Sequence, residues 1–377
     1  MWTGLAASHC RNASSDDVNA LGDSGGQPRK AISSANEKFS DPVFDPAGKH
    51  TCVFAGAGCS KALFDIPIQA ELIDDFISWD MQDEHEQHLS QSLRRLLCAI
   101  KDIELVVSHY HNLAYPNGKR DPSFIRELLF LRVALAQYLD DRMRRSQAQP
   151  KVTHARLLAK FMADRGLEAS NLVVVTTNYD LVLETLLENI FDTDSYWYPG
   201  VSSRPRVQRI PVLKLHGSIN WMENRGLASD RSFTRGSQKI LIEAPSEMTL
   251  TRSPWDDWGH FFENNGTKYT PIIVPFLFQK NAWLKDDNER WKKIFDEVWK
   301  EAEELMSNAT RLLFWGYGLP PADYHMFSFL YQILHDSTAE CEVVDKTRDT
   351  NLIRIGELLV KNIGIFRDGL VSYLGAR

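Results

Sequence analysis

Residues 172–184 read Leu-Val-Val-Val-Thr-Thr-Asn-Tyr-Asp-Leu-Val-Leu-Glu, and the rest of the chain is organised around them. The first half is a short apolar run rich in β-branched residues, which is typical of a strand buried on both faces. The second half continues with apolar residues at helical spacing. The polar residues 176–180 therefore lie at the carboxyl end of a strand, which is where open α/β sheets bind ligands. The alternative is ordinary turn chemistry, because Asn and Asp favour turns and helix caps.

A glycine-rich turn follows an earlier apolar run. Residues 50–55 predict a buried strand, and Gly-Ala-Gly-Cys-Ser follows at positions 56–60. Such a turn between a strand and a helix lets the backbone approach a phosphate group. The usual dinucleotide fingerprint has a third glycine three residues after the second, where this chain has Lys61. By itself the motif therefore fits a tight structural turn as well as a phosphate site.

Three later strands also end in residues that suit ligand binding. The predicted strand 211–215 leads into His-Gly-Ser, and the strand 311–315 leads into Gly-Tyr-Gly. A further strand, 341–344, ends at Asp345, a carboxylate that could hold ribose hydroxyls or be a plain turn residue. Because neighbouring parallel strands direct their carboxyl ends to one crevice, we expect these segments to lie close together.

Composition limits the classes of function. The chain has 377 residues, a net charge of -7 and 43% hydrophobic residues, as globular proteins have. Its five cysteines include no Cys-x-x-Cys pair, which argues against a disulfide framework or a zinc site and fits a cytoplasmic location. We expect no association with membranes, because no apolar run is long enough to span one. The mild acidity gives no indication of direct nucleic-acid binding.

The organisation predicted along the chain is one large domain preceded by a tail. Residues 1–45 are polar with little apolar periodicity and predict a disordered or loosely attached tail. Residues 46–377 predict an α/β domain with a Rossmann-like, mostly parallel sheet and helices on both faces. Two insertions interrupt it, a large helical one at about 68–150 and a polar one at about 223–270.

The four motifs, in this order at strand ends, resemble the sirtuin superfamily. Within it they are similar to the bacterial sirtuin-like NAD-consuming proteins of antiphage defence. The resemblance covers roughly residues 50–60, 172–184, 212–221, 272–280 and 311–325. It implies a Rossmann-like domain that takes NAD as its substrate. It further implies an NAD+ glycohydrolase (NADase) that releases nicotinamide and ADP-ribose.

The same resemblance assigns roles to individual residues. It implies that Asn178 and His216 are catalytic and that Asp180 faces the nicotinamide amide. The first glycine turn is expected at the NAD phosphates, with Gly58 in close approach to them or at a positive φ, and the Gly-Tyr-Gly turn on the adenosine side. The full predicted NAD-binding set is Gly56, Ala57, Gly58, Ser60, Thr177, Asp180, Gly217, Ser218, Gly316, Tyr317, Gly318 and Asp345.

The chain departs from protein-deacylating sirtuins in three places. It lacks their paired Cys-x-x-Cys zinc ligands, so we expect no metal. Their Thr-Gln-Asn-Ile-Asp is here Thr-Thr-Asn-Tyr-Asp at 176–180, and their Asp-Phe-Arg segment is missing after Ser60. The alternatives are an NAD-dependent protein deacylase or ADP-ribosyltransferase, and a non-catalytic nucleotide-sensing module. The family also suggests a homo-oligomer and a separate partner such as a HerA-type ATPase.

Overall fold

The computed structural model describes most of the chain that follows the N-terminal region. The described residues are 49–81, 89–114, 121–147, 162–163, 166–191, 195–202, 205, 208–227, 240–242, 262–264, 267–273, 289–320, 323–335, 337–346, 350, 352–353, 356, 363–366, 369 and 373. All of them belong to one unit, Asp41–Arg377. The predicted loose tail at 1–45 lies outside the described residues.

The elements are named in chain order. The strands are β1 (Thr51–Ala55), β2 (Leu172–Thr176), β3 (Tyr196–Trp197), β4 (Ile210–Lys214), β5 (Gly217–Leu227), β6 (Ile240–Ile242), β7 (Phe262–Asn264), β8 (Thr267–Ile273), β9 (Arg311–Trp315), β10 (Glu340–Val344) and β11 (Ile363–Phe366). The helices are α1 (Ala57–Phe64), α2 (Gln69–Asp80), α3 (Gln91–Ile100), α4 (Ile103–Ala114), α5 (Pro122–Gln147), α6 (Val182–Phe191), α7 (Glu289–Ser307) and α8 (Tyr324–His335).

The main sheet has seven strands in the order β11-β10-β9-β1-β2-β4-β3, and its paired strands run parallel. From β1 the chain moves outward to β2 and β4 on one side, and later returns to place β9 on the other side of β1. Right-handed crossovers in opposite directions place helices on opposite faces of a sheet. The reversal makes the space between β1 and β9 a topological switch point. The predicted Rossmann-like fold is confirmed.

The register of the main sheet aligns the strand ends in one row. Ala55 at the end of β1 lies opposite Thr176 on β2 and Trp315 on β9. The row continues through Val344 on β10 and Lys214 on β4. The segments that follow these strands, which carry the predicted site residues, therefore leave the sheet along the same edge.

Between β1 and β2 the chain forms helices α2 to α5, which confirms the predicted helical insertion in its described part. Apolar side chains of these helices, including Phe76, Leu93 and Tyr138, are buried in the same core as the sheet. The N–H of Leu181 donates to Met143 Sδ at 3.2 Å, so α5 contacts the segment that follows β2. No helix in the described ranges combines the length and the apolar character needed to cross a membrane.

A second, antiparallel sheet follows β4, in the order β6-β5-β8-β7. The sequence analysis ended the strand at residue 215, placed the His-Gly-Ser motif after it and began the second insertion at about residue 223. The structure instead begins the 11-residue strand β5 at Gly217, directly after a two-residue turn. Residues 218–221, Ser-Ile-Asn-Trp, alternate polar and apolar side chains, which is the pattern of a half-buried strand. Ser218 and Asn220 are nevertheless as deeply buried as Ile219 and Trp221.

Candidate active site at the switch point

The turn after β1 and the turn after β9 contact each other through their backbones. The N–H of Gly58 donates to the carbonyl of Gly316 at 2.9 Å. A Cβ atom added to Gly56 would lie 2.7 Å from the Gly316 oxygen, and one added to Gly58 would lie 2.8 Å from the Gly316 Cα. Real side chains do not approach so closely. The protein's own packing therefore requires glycine at both positions.

The positive φ expected at Gly58 belongs to Gly316, whose φ is 63°. Gly58 lies within the first turn of α1, and its N–H bonds to Gly316 inside the protein. The expectation was wrong because a close contact between two backbones also requires glycine. The sequence alone does not distinguish this cause from a positive φ. Ala57 is exposed on this turn, while Ser60 is buried. Contact of the turn with NAD phosphates stays a prediction.

A buried polar cluster joins the segment after β2 to α1. The amide nitrogen Nδ2 of Asn178 donates to the carbonyl of Gly56 at 2.9 Å and to Ser60 Oγ at 3.0 Å. Ser60 Oγ donates in turn to Asp180 Oδ1 at 3.0 Å, which also accepts the N–H of Val182 at 3.1 Å. We call Ser60, Asn178 and Asp180 the Asn178 cluster. Each of its residues is at most 7% exposed.

Burial raises the pKa of the Asp180 carboxyl above its ordinary value. The Lys214 ammonium, the Val182 N–H and the Ser60 hydroxyl act in the opposite direction and lower that pKa. Burial, together with the nearby Asp180 carboxylate, raises the pKa of the Cys59 thiol. Cys59 is therefore a neutral thiol at physiological pH and a poor nucleophile.

Thr176, the last residue of β2, sets the path of the backbone into the Asn178 cluster. Its Oγ1 donates to the carbonyl of Ala55 at 2.8 Å and accepts the N–H of Asn178 at 3.0 Å. The side chain is fully buried. Thr177, the next residue, is also buried at 4% exposure.

We expect Thr176→Val to lower the free energy of unfolding by about 1–3 kcal/mol, because it leaves the buried N–H of Asn178 without its acceptor. Thr185→Val in α6 is the matched control. Within the described residues the Thr185 hydroxyl is buried and has no hydrogen-bond partner, so its removal should leave stability unchanged or raised. Denaturant unfolding of the two variants makes the comparison. Equal losses in both would contradict a positioning role for the Thr176 hydroxyl.

His216 lies in the turn between β4 and β5 and is fully buried. Its ring is 6.3 Å, centroid to centroid, from the rings of both Tyr179 and Trp299. Trp299 Nε1 donates to the carbonyl of Leu215 at 3.0 Å, which fixes the turn. Tyr179 adjoins Asn178 in the chain. The structure thus brings the two predicted catalytic residues to the same edge of the sheet, on neighbouring strands.

Gly217 and Ser218 have structural contacts where β5 begins. Gly217 has a φ of 86°, and a Cβ atom there would lie 2.3 Å from the carbonyl oxygen of Ile272. Ser218 Oγ donates to the carbonyl of Tyr179 at 3.4 Å. Both residues are buried, and a contact of either with NAD stays a prediction.

The residues after β9 and β10 lie on the other side of the switch point from Asn178. The Tyr317 ring packs on Phe54 with centroids 4.9 Å apart, and its hydroxyl donates to Asp323 Oδ2 at 3.1 Å. Gly318 is half-buried beside it. The Asp345 side chain is also half-buried, and its N–H donates to the carbonyl of Phe366 at 3.1 Å. These positions line the same edge but do not belong to the Asn178 cluster.

The sequence reading missed a buried network next to the Asn178 cluster. It consists of Lys214, Glu184, Tyr198 and Asn220, each of them buried. The available signal was a lysine near the end of the otherwise apolar run Pro-Val-Leu-Lys-Leu at 211–215. A charge in a fully buried strand requires a partner, and the sequence offered no means of choosing one.

Within the ranges that the structure describes, no group of three or more His, Cys, Asp or Glu side chains is placed to hold a metal ion. The donor set at the switch point consists instead of an amide, a carboxylate, a hydroxyl and an imidazole. Uncharged and acidic groups of this kind suit the ribose hydroxyls and the carboxamide of NAD.

The parallel sheet, its switch point and the polar strand ends define a Rossmann-like α/β protein. A family model described as a SIR2-like domain matches residues 172–340, which include Asn178, Asp180, His216 and Gly316. Residues 172–340 are therefore a SIR2-like region, which implies an activity that depends on NAD.

Comparison with solved structures gave a match to a crystal structure of Sir2 in complex with the inhibitor EX-527, 2'-O-acetyl-ADP-ribose and a deacetylated p53 peptide. The identity is 15% and the TM-score 0.33, with 87% of this chain and 91% of that chain covered. A search of curated proteins gave no match.

Proposed function

We propose that the protein is an NAD+ glycohydrolase that cleaves the bond between nicotinamide and ribose. The observation that carries the proposal is the Asn178 cluster, which is buried at the switch point of a SIR2-like domain, one strand away from His216. Binding of a nucleotide alone would need neither a buried amide and carboxylate in contact through one hydroxyl nor a histidine beside them. Chemistry at the nicotinamide ribose uses all of these groups.

The reaction needs little acid assistance. In NAD the pyridinium nitrogen is cationic, so the electron pair of the broken bond to the ribose C1' neutralises it and nicotinamide leaves uncharged. The oxygen of a water molecule forms the new bond to C1', and the proton that this water loses passes to a base and then to solvent. The transition state resembles an oxocarbenium ion, as in glycoside hydrolysis. The protein must therefore hold the ribose, exclude bulk water and place one water molecule.

The residues divide these tasks in the proposed mechanism. His216 takes the proton of the attacking water or of a ribose hydroxyl, an assistance worth roughly 10²–10⁴-fold in rate. The Asn178 amide can donate and accept while uncharged, so it can hold a ribose hydroxyl or the water. Both described hydrogen bonds of the Asp180 carboxylate end on Oδ1, so we assign Oδ2 to the nicotinamide amide.

Incubation of the full chain with NAD, followed by chromatography, tests the proposal. We expect nicotinamide and ADP-ribose in equal amounts without any added acceptor, and no change in rate on adding EDTA. Parallel reactions with an acylated peptide and with an acceptor protein separate the alternatives. Product formation that depends on the peptide would indicate a deacylase, and ADP-ribose found on protein would indicate a transferase. NAD that binds but is recovered intact would indicate a nucleotide-sensing module.

The cellular setting is proposed from the motif resemblance alone. We propose a cytoplasmic effector that depletes NAD in antiviral defence, acts as a homo-oligomer and is controlled by a separate partner such as a HerA-type ATPase. An NAD-consuming enzyme needs such control, because constant activity would poison its own cell. Phage challenge of cells that express wild type or His216→Ala tests this setting, and equal protection by both would contradict it.

A further inference from the structure

A buried ion pair lies directly behind the Asn178 cluster. Lys214 Nζ is 2.8 Å from Glu184 Oε1, and both side chains are 0% exposed. The Tyr198 hydroxyl donates to the same Oε1 at 3.0 Å, and Asn220 Nδ2 donates to the Tyr198 hydroxyl at 3.0 Å. We call Lys214, Glu184, Tyr198 and Asn220 the Lys214 network. It joins residues of the helix α6, the strands β4 and β5 and the loop after β3.

Stability alone does not account for such a pair. Removing two charges from water is costly, and replacing a buried ion pair by apolar residues of similar volume is often neutral or stabilising. The contacts of the pair with its surroundings are therefore the informative feature.

Lys214 connects the two segments that carry the predicted catalytic residues. It is the last residue of β4, two positions before His216. Its ammonium group also donates to the main-chain carbonyl of Asp180, in the segment that follows β2. A second link runs in parallel, since the N–H of Leu215 donates to the carbonyl of Thr176 at 2.9 Å. One buried cation thus fixes the Asp180 backbone relative to the turn that holds His216.

The same cation influences the charge of the Asp180 carboxyl. Among the described residues, the titratable groups that act on this carboxyl are Lys214 on β4, Glu184 on α6 and Cys59 on α1. The Ser60 hydroxyl and the Val182 N–H donate hydrogen bonds to it. Burial raises the Asp180 pKa and so does Glu184, while Lys214 lowers it by more than Glu184 raises it. Lys214 therefore favours the ionised carboxylate at a position where burial opposes it.

We propose that Lys214, held by Glu184, is a positioning residue that aligns the Asn178–Asp180 segment with His216 for the reaction on NAD. Because the same cation favours the charged form of the Asp180 carboxyl, the titration of that carboxyl reports whether the cation is in place. The inference rests on the proposed NAD hydrolysis, because the alignment matters only if both segments act on one substrate. It assigns Lys214 no contact with NAD.

The central test is the double variant Lys214→Met with Glu184→Gln, which removes both charges and leaves neither unpaired. We expect a melting temperature near that of wild type, a KM for NAD within about threefold, and a kcat lower by about 10-fold to 10²-fold. The acid limb of the pH–kcat profile should move to higher pH. This direction follows because the lost cation lowered the Asp180 pKa by more than the lost anion raised it.

Two further variants keep the test decisive. Lys214→Arg retains the cation, so its acid limb should stay at the wild-type pH even if its changed reach lowers kcat. Arg94→Met disrupts another partly buried ion pair, with Asp80 in the helical insertion at 3.4 Å, and should lower stability without moving the acid limb. A double variant with wild-type kcat and acid limb would overturn the proposal, as would a shifted acid limb in Lys214→Arg.

A titration without NAD separates this proposal from the proposed function. Carboxyl ¹³C resonances of aspartate-labelled protein, with Asp180 assigned through Asp180→Asn, report its ionisation directly. We expect Asp180 to titrate at higher pH in the double variant than in wild type. If Asp180 titrates at the same pH in the double variant and in wild type, the proposed role of Lys214 is overturned, whether or not wild type cleaves NAD. If the double variant shows the expected shift but wild type does not cleave NAD, only the proposed function is refuted.

Discussion

His216→Ala is expected to lower kcat for NAD cleavage by about 10²–10⁴-fold, because it removes the proposed general base. Binding of NAD should persist, since the Asn178 cluster and both glycine turns remain. Calorimetric titration with a non-cleavable NAD analogue and a kinetic assay of nicotinamide release measure the two effects separately. Loss of binding in this variant would show that His216 holds the ligand, and the general-base assignment would then be wrong.

His109→Ala provides the control for that experiment. His109 is an exposed residue of α4 in the helical insertion, and its replacement should change neither kcat nor stability. Asn178→Ala is a less selective probe than His216→Ala. It should also abolish cleavage, but the Asn178 amide donates to both Gly56 and Ser60, so its loss should cost about 1–3 kcal/mol of stability as well.

Gly316→Val should have the largest effect on stability, a loss of about 2–6 kcal/mol. A β-branched residue at a φ of 63° is strained by about 1–3 kcal/mol. Its Cβ would also lie 2.3 Å from the Cys59 nitrogen, and overpacking of this kind costs a further 1–3 kcal/mol or so. The upper end of this range is comparable to the entire free energy of unfolding of a marginally stable domain. Denaturant unfolding of the full chain gives the measurement.

Two glycine controls separate the causes. Gly166 has a φ of 60° and nothing within 4 Å of an added Cβ, so Gly166→Ala should show the backbone cost alone, about 1 kcal/mol. At Gly318 an added Cβ would meet Thr350 at an ordinary 3.5 Å, so Gly318→Ala should leave stability almost unchanged. If Gly316→Val proves no more destabilising than Gly166→Ala, the close contact between the two turns is not present.

The sequence predicted the main sheet well because its strands are buried on both faces. Mostly apolar runs marked β1, β2, β4, β9 and β10 to within a residue or so of their observed bounds, although β4 contains Lys214 and β10 contains Glu342. The polar residues that end each run follow from the same cause, since the chain leaves the core there. The gathering of these ends at one edge required only that the strands be parallel and adjacent.

The rest of the site depended on contacts between distant segments. Glu184 reads as an ordinary helical residue, and only the fold shows it beside Lys214. In β5 the alternation at residues 218–221 was available in the sequence, but the complete burial of the polar residues Ser218 and Asn220 is visible only in the fold. The reason for glycine at position 58 lies about 260 residues away, at Gly316, and no local pattern could reveal it.

The contact between the two glycine turns bears on how relatives of this protein are classified. Gly56, Gly58 and Gly316 are required for backbone packing whether or not a ligand is bound. A pseudoenzyme that had lost catalysis would keep all three for the sake of its fold. Substitutions at Asn178 and His216, whose burial alone does not dictate their chemistry, are therefore the informative markers of lost activity in homologous chains.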